Sequence, residues 1–292
     1  MATTIGGLTT SHVPAIGGAI ARGRQQEPYW KPFFDGFVPV RKWLAQAAPD
    51  LVIIFYNDHG LNFFLDKMPT FAVGAAAEYV SADEGWGIPT TASFRGHPEF
   101  SWHLIESLVA EEFDPVTCQE MRVDHAVTLP MALLWPDQRW PVRVVPVCIN
   151  TVQFPLPSAR RCFRLGSAVG RAVQSWPGNE RVLMIGSGGL SHQLDGERAG
   201  FINRAFDLQF MDSLITDPQW VTRFDSRQIV EQAGTQGVEL LSWLAARAAL
   251  PGAVTRLHSN YHIPISNTAS GLMLMASDPT ARAATGAGGG VA

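Results

Sequence analysis

Cysteine is scarce: Cys118, Cys148 and Cys162 are the three in 292 residues, widely spaced and without a CxxC pair. An odd, scattered set excludes a disulfide framework and a thiolate zinc site. Charge is scarce too. Asp, Glu, Lys and Arg together make up 16% of the chain, the formal net charge is -4, and no block of like charges occurs. A nucleic-acid surface needs a basic patch, and the densest group, Arg160, Arg161 and Arg164, falls on an expected helix. No apolar run approaches the ~18 residues of a membrane span, and the N-terminus lacks a basic-then-apolar leader. The expectation is a cytoplasmic protein with neither nucleic acid nor membrane as partner. The P-loop GK[ST], the GxGxxG fingerprint and the GxSxG elbow are all missing. Internal repeats and an interdomain linker are missing as well. One domain is therefore expected over residues 1–275, followed by an Ala/Gly-rich tail at 276–292 that frays.

Apolar and aromatic residues are plentiful instead. The chain is 46% hydrophobic with nine tryptophans and sixteen phenylalanines, enough for a large core and for an aromatic subunit interface. Leu51–Tyr56, Val142–Ile149 and Val182–Ile185 are short apolar runs, the pattern of strands covered on both faces. Pro146 marks the second as an edge or bulged strand. Leu272–Met275 is a fourth candidate. Helices read over His97–Phe113, Ser158–Trp176, Ala199–Ile215 and Val238–Leu250, the last ended by Pro251-Gly252. Strand and helix alternate, which implies an α/β fold with a central, mostly parallel or mixed sheet flanked by helices. Pro14–Lys42 and Asn62–Ala92, rich in Gly, Pro and aromatic residues, read as long loops that carry function or wrap a partner.

A histidine stands just beyond each of three candidate strand ends: His12 in TTSHVP, His59 in FYNDHG and His192 in MIGSGGLSHQ. In α/β proteins ligands and metals gather there. The turn Gly186-Ser187-Gly188-Gly189 has neither nucleotide-binding nor nucleophile-elbow spacing, so its glycines serve to present Ser191 and His192. Two histidines with one carboxylate suit a transition metal and leave coordination positions open for substrate and dioxygen. His12 and His59 would be the pair. Glu239 stands out as the carboxylate because it opens a largely apolar helix, where the N-terminus favours its ionised form. An ordinary solvated first-turn glutamate would look the same, and two histidines with a glutamate also suit zinc.

Ordered motifs run along nearly the whole chain: TSHVPA at 10–15, YNDH at 56–59, PTFAVG at 69–74, ADEGWG at 82–87 and VDHA at 123–126. GGLSHQLDGERAGFIN at 188–203, AGTQGVELLSW at 233–243 and YHIPISNTA at 261–269 follow. In these stretches the chain resembles the class III (LigB-type) extradiol ring-cleavage dioxygenases, whose members include the β subunit of protocatechuate 4,5-dioxygenase. The resemblance implies that His12, His59 and Glu239 hold a non-haem Fe(II). It makes His192 the catalytic acid/base and His125 a second catalytic histidine beside bound substrate or oxygen. Ser266 and Asn267 would hold the carboxylate of an aromatic acid. The implied reaction is dioxygen-dependent meta cleavage of a catecholic acid, protocatechuate first, to 4-carboxy-2-hydroxymuconate semialdehyde. Gallate, 3-O-methylgallate and an aminophenol are the alternative substrates, and a non-catalytic subunit is the alternative role. The aromatic-rich Gly60-Leu61-Asn62-Phe63-Phe64 departs from the family pattern and bears on the ring substituents accepted. A small helical α subunit, in an α2β2-type assembly, is the partner the resemblance implies.

Overall fold

The computed structural model describes residues 1–277. Residues 278–292 of the expected tail lie outside the described residues, whereas Ala276 and Ser277 complete the last strand. In chain order the elements are β1 (Thr3–Thr10), α1 (Pro14–Ala21), α2 (Lys31–Asp35), α3 (Phe37–Ala47) and β2 (Leu51–Tyr56). Next come β3 (Phe71–Gly74), β4 (Glu78–Ser81), β5 (Phe94–Arg95), α4 (Pro98–Ala110), β6 (Val116–Cys118) and β7 (Arg122–Val123). They are followed by α5 (His125–Leu134), β8 (Arg143–Ile149), α6 (Ala159–Ser175) and β9 (Arg181–Ser187). The chain continues through α7 (Arg204–Thr216), α8 (Ser226–Ala233), α9 (Leu240–Ala248), β10 (Val254–Ile265) and β11 (Thr268–Ser277).

Eight strands form one mixed sheet in the order β10-β11-β1-β9-β2-β8-β3-β6. Its centre, β1-β9-β2-β8, is parallel, and β11 and β3 flank it antiparallel. Helices cover both faces, as the α/β expectation required. β2 shows why its sequence is uniformly apolar: Leu51, Ile53 and Phe55 pack into one core cluster, while Val52, Ile54 and Tyr56 pack into the other. All six are fully buried, and burying each of the aliphatic side chains contributes about 1.5–3 kcal/mol.

Four expectations need correction. β8 is neither an edge nor a bulged strand; it lies between β2 and β3 and pairs with β2 without a register shift. The Pro146 ring, which replaces its N–H, faces Gly74, the last residue of β3, where pairing on that side ends. The segment Pro14–Lys42 is largely helical, built into α1, α2 and the start of α3. Asn62–Ala92 likewise contributes β3 and β4. The helix expected from Ala199 begins at Arg204, where Asn203 caps it by accepting the Phe206 N–H.

Candidate metal centre and active-site cavity

β1, β9 and β2 are neighbours and parallel, so their carboxyl ends open onto the same edge of the sheet. His12, His59 and His192 follow those three ends, and the topology brings the three together as the sequence reading anticipated. His12 is buried. Ser187, across from Thr10 at the end of β9, donates its hydroxyl to the Ala126 carbonyl and so accepts from His12 Nδ1 at 2.8 Å. That bond leaves the His12 Nε2 lone pair pointing away from its support. His59 is held twice by Asp124, whose Oδ2 accepts its backbone N–H at 2.9 Å and its Nδ1–H at 3.0 Å. Its Nε2 is thereby turned toward Glu239.

Glu239 meets both. It ends a 3-10 turn, Gly237–Glu239, that leads into α9, and it is buried. Oε2 lies 3.4 Å from His12 Nε2, and Oε1 lies 3.6 Å from His59 Nε2. The Gly189 N–H donates to Oε2 at 2.6 Å, and the Asn57 amide donates to Oε1 at 3.2 Å. A Cβ at Gly188 would lie 2.7 Å from the Glu239 carbonyl oxygen, so only glycine lets the β9 turn pack on the Glu239 turn. The glycine-rich turn thus makes room for the carboxylate as well as for His192.

Burial alone would raise the Glu239 pKa, but attraction to His12 and hydrogen bonding to both histidines hold it well below the usual carboxylate range. Burial opposes protonation of His59, yet Asp124 and then Glu239 raise its pKa to about 10 in the metal-free protein. Burial would raise Asp124, and the charge and hydrogen bonds of His59 bring it down to about 2. Imidazoles are the ionisable partners of these carboxylates; among the described residues no Lys or Arg pairs with Glu239 or Asp124. Buried negative charge of that kind calls for a cation. Two buttressed imidazoles and one carboxylate, with donor atoms facing each other, form the donor set typical of non-haem Fe(II).

His125 is the first residue of α5, capped by Asp124. Glu84 accepts its backbone N–H at 2.8 Å and its Nδ1–H at 2.7 Å. Burial and the neighbouring His59 lower its pKa, so its outward nitrogen is a neutral acceptor. Its ring stacks on His59 at 4.2 Å, and nitrogens of His12, His59 and His125 all lie within 4.8 Å of one another. Burial, a carboxylate support and a position among the other two histidines place it at the centre itself.

These groups open into a cavity of ≈ 240 Å³, lined also by Trp86, His192, Gln236, Ser266 and Thr268. The volume is below the ~300–1,000 Å³ of drug-sized pockets and suits a compact ligand. His192 donates Nδ1–H to the Leu190 carbonyl at 2.9 Å, which leaves Nε2 as the nitrogen available to a ligand. Ser191, expected beside it, instead donates to Asp207 at 2.6 Å and anchors the loop from behind. Ser266 and Asn267 form the two-residue turn between β10 and β11, with φ of 49° and 61°. Ser266 lines the cavity; Asn267 is exposed and lies beside Gly200. The sequence reading did not single out Glu84, Trp86, Asn57, Gln236 or Thr268. Glu84 and Trp86 sit within the ADEGWG motif, which was the available signal.

Residues 6–271 match the family described as the catalytic LigB subunit of aromatic ring-opening dioxygenase. The chain belongs to this family. A gallate dioxygenase of Pseudomonas putida is 39% identical over 194 residues, covering 66% of this chain and 57% of that protein. The 2,3-dihydroxyphenylpropionate/2,3-dihydroxicinnamic acid 1,2-dioxygenase of Photorhabdus laumondii is 35% identical over 186 residues, covering 63% and 55%. The enzyme of the same name from Rhodococcus jostii is 30% identical over 289 residues, covering 84% and 88%. The chain thus spans a little over half the length of the first two relatives and most of the third. An uncharacterized Escherichia coli K12 protein of known structure shares the fold, with a TM-score of 0.53 and 13% identity over 92% of this chain and 99% of that one. In this LigB-family chain no helix among the described residues is long and apolar enough to cross a membrane.

Proposed function

We propose that the protein is an Fe(II)-dependent extradiol dioxygenase acting on a small polyhydroxylated aromatic acid, with gallate favoured over protocatechuate. The carrying observation is the approach of Glu239 to both His12 and His59 at the floor of a ring-sized cavity whose wall holds His192. His12, His59 and Glu239 are the proposed ligands. Bound there, Fe(II) would supply the site for a chelated catechol and for dioxygen activation. Likeness to the gallate enzyme favours gallate, a preference that one ring hydroxyl can set when the site pairs or excludes it.

His192 Nε2 is the proposed base that takes a phenolic proton as substrate binds and returns it later, a task suited to imidazole. His125, its Nδ1–H fixed by Glu84, accepts a hydrogen bond at the reacting oxygens through its outward nitrogen. Ser266, Thr268 and Gln236 are the polar groups left to face the ring substituents. The Gln236 Oε1 already accepts from the Leu194 N–H at 3.1 Å and the Thr235 hydroxyl at 2.6 Å, so its Nε2 is the end free to donate. The exposed Phe64, Leu65 and Trp86 beside the cavity offer an apolar seat for a covering partner such as a small helical subunit. Three buried free thiols suit a reducing cytoplasm.

The deciding experiment is anaerobic loading with Fe(II), then oxygen uptake with gallate, protocatechuate and 3-O-methylgallate. Gallate should give the highest kcat/KM. Bound iron with no uptake on any catechol would overturn the reading; a preference for protocatechuate would overturn only the substrate.

A further inference from the structure

A second cavity, of ≈ 290 Å³, lies at the far ends of α1 and α5 from the metal centre. Ile20, Phe34, Val38 and Leu133 give it apolar walls, and Arg41 and Gln25 bring polar groups to it. Arg41 is partly buried and donates Nη1–H to the Leu133 carbonyl at 3.1 Å. That bond caps the end of α5 and uses one of five guanidinium donors. Among the described residues no carboxylate pairs with Arg41. Asp35 also lines the cavity, but Lys31 holds it at 2.5 Å. Partial burial lowers the Arg41 pKa, the mark of a cation short of solvation.

A guanidinium with spare donors, no counter-ion and an apolar wall beside it matches a carboxylate on an apolar body. The position adds a consequence. α1 starts at Pro14 and Ala15 on the first cavity and reaches Ile20 on the second. α5 starts at His125 and reaches Leu133. The two helices pack closely enough that a Cβ at Gly17 would lie 3.0 Å from Leu129 Cδ2. A ligand seated between their far ends therefore bears on both helices that border the metal centre.

We propose that this cavity is a second ligand site, for a small monocarboxylate with an apolar or aromatic body, and that its occupancy is felt at His125. The site stands whatever reaction the metal centre performs. The test is calorimetric titration of the whole protein with benzoate, and with benzyl alcohol as the uncharged counterpart. Arg41→Gln keeps a donor for Leu133 but removes the charge, and should weaken benzoate by about tenfold or more. Val38→Trp, at a position that is 53% exposed, fills the cavity and should abolish binding with Arg41 intact. Benzyl alcohol should bind more weakly than benzoate to the wild type. In histidine-resolved NMR, benzoate should move the His125 imidazole signals in the wild type and not in Val38→Trp. No benzoate binding, or binding equal in all three proteins, overturns the site. His125 shifts that persist in Val38→Trp, or that are absent from the wild type, overturn the link to the metal centre.

Discussion

Asp124 grips His59 by backbone and ring together, accepting N–H at 2.9 Å and Nδ1–H at 3.0 Å on one oxygen. Its other oxygen accepts the Ala126 N–H at 3.0 Å, capping α5. One carboxylate thus fixes which His59 nitrogen faces the centre and ties the loop after β2 to the helix that begins with His125. The stacking of His59 on His125 follows from that tie.

Asp124→Asn retains an acceptor for the α5 cap but loses the charge behind His59. Supports of this kind are worth about 10–100-fold in metal affinity, and a ferrous competition titration should show a loss of that size. An unchanged affinity would mean that His59 orients without Asp124.

Four donor groups meet here, and a metal could in principle take His125 in place of Glu239. The two are separable by metal content. Glu239→Ala should abolish Fe(II) retention, whereas His125→Ala should retain iron and lose turnover. The reverse pattern would replace the two-histidine, one-carboxylate assignment by a three-histidine one.

Much of this site is readable from sequence because strand ends announce themselves. β2 was legible to the residue, since a strand buried on both faces is apolar throughout, and His59 follows it at once. α1 was not, because PAIGGAIA has no polar face to give a helical period. The interior place of Pro146 depends on where β3 stops, which lies far away in the chain. Ser187 could be judged a poor nucleophile, but its support of His12 spans a separation of 175 residues. Burial of Glu239 likewise depends on the remote Gly188 and Asn57.

Gln236 sets up a kinetic prediction. Its Oε1 is committed to Leu194 and Thr235, and the residue lines the cavity, so the proposed contact to a ring substituent falls to Nε2. Gln236→Leu should raise KM for gallate by about tenfold, the worth of one hydrogen bond, with a smaller change in kcat. A fall in kcat at constant KM would assign Gln236 to the chemistry instead.

Asp207 makes stability pH-dependent. Burial raises its pKa to about 6, against the hydrogen bonds from Ser191 and Tyr261. The folded state therefore holds this proton more tightly than the unfolded chain, and stability contributed by the protonated form falls as pH rises from about 4 to about 6. The loss amounts to about 3 kcal/mol at most. Asp207→Asn should flatten that part of the thermal-stability profile of the metal-free protein. An unchanged slope between those pH values would assign it to another group.

His192 separates proton transfer from metal binding. Its Nδ1–H is committed to the Leu190 carbonyl and its ring packs beside Gly189, the residue that donates to Glu239. The imidazole thus flanks the centre while its backbone is fixed by the Ala233 carbonyl at 2.8 Å. His192→Gln keeps a polar side chain beside the centre but cannot take up and return a proton, so iron content should stay at the wild-type level. Turnover should fall by about 10²–10⁴, the usual contribution of a positioned acid/base. Loss of iron with the activity would make His192 a ligand, and the division of labour among the strand-end histidines would have to be redrawn.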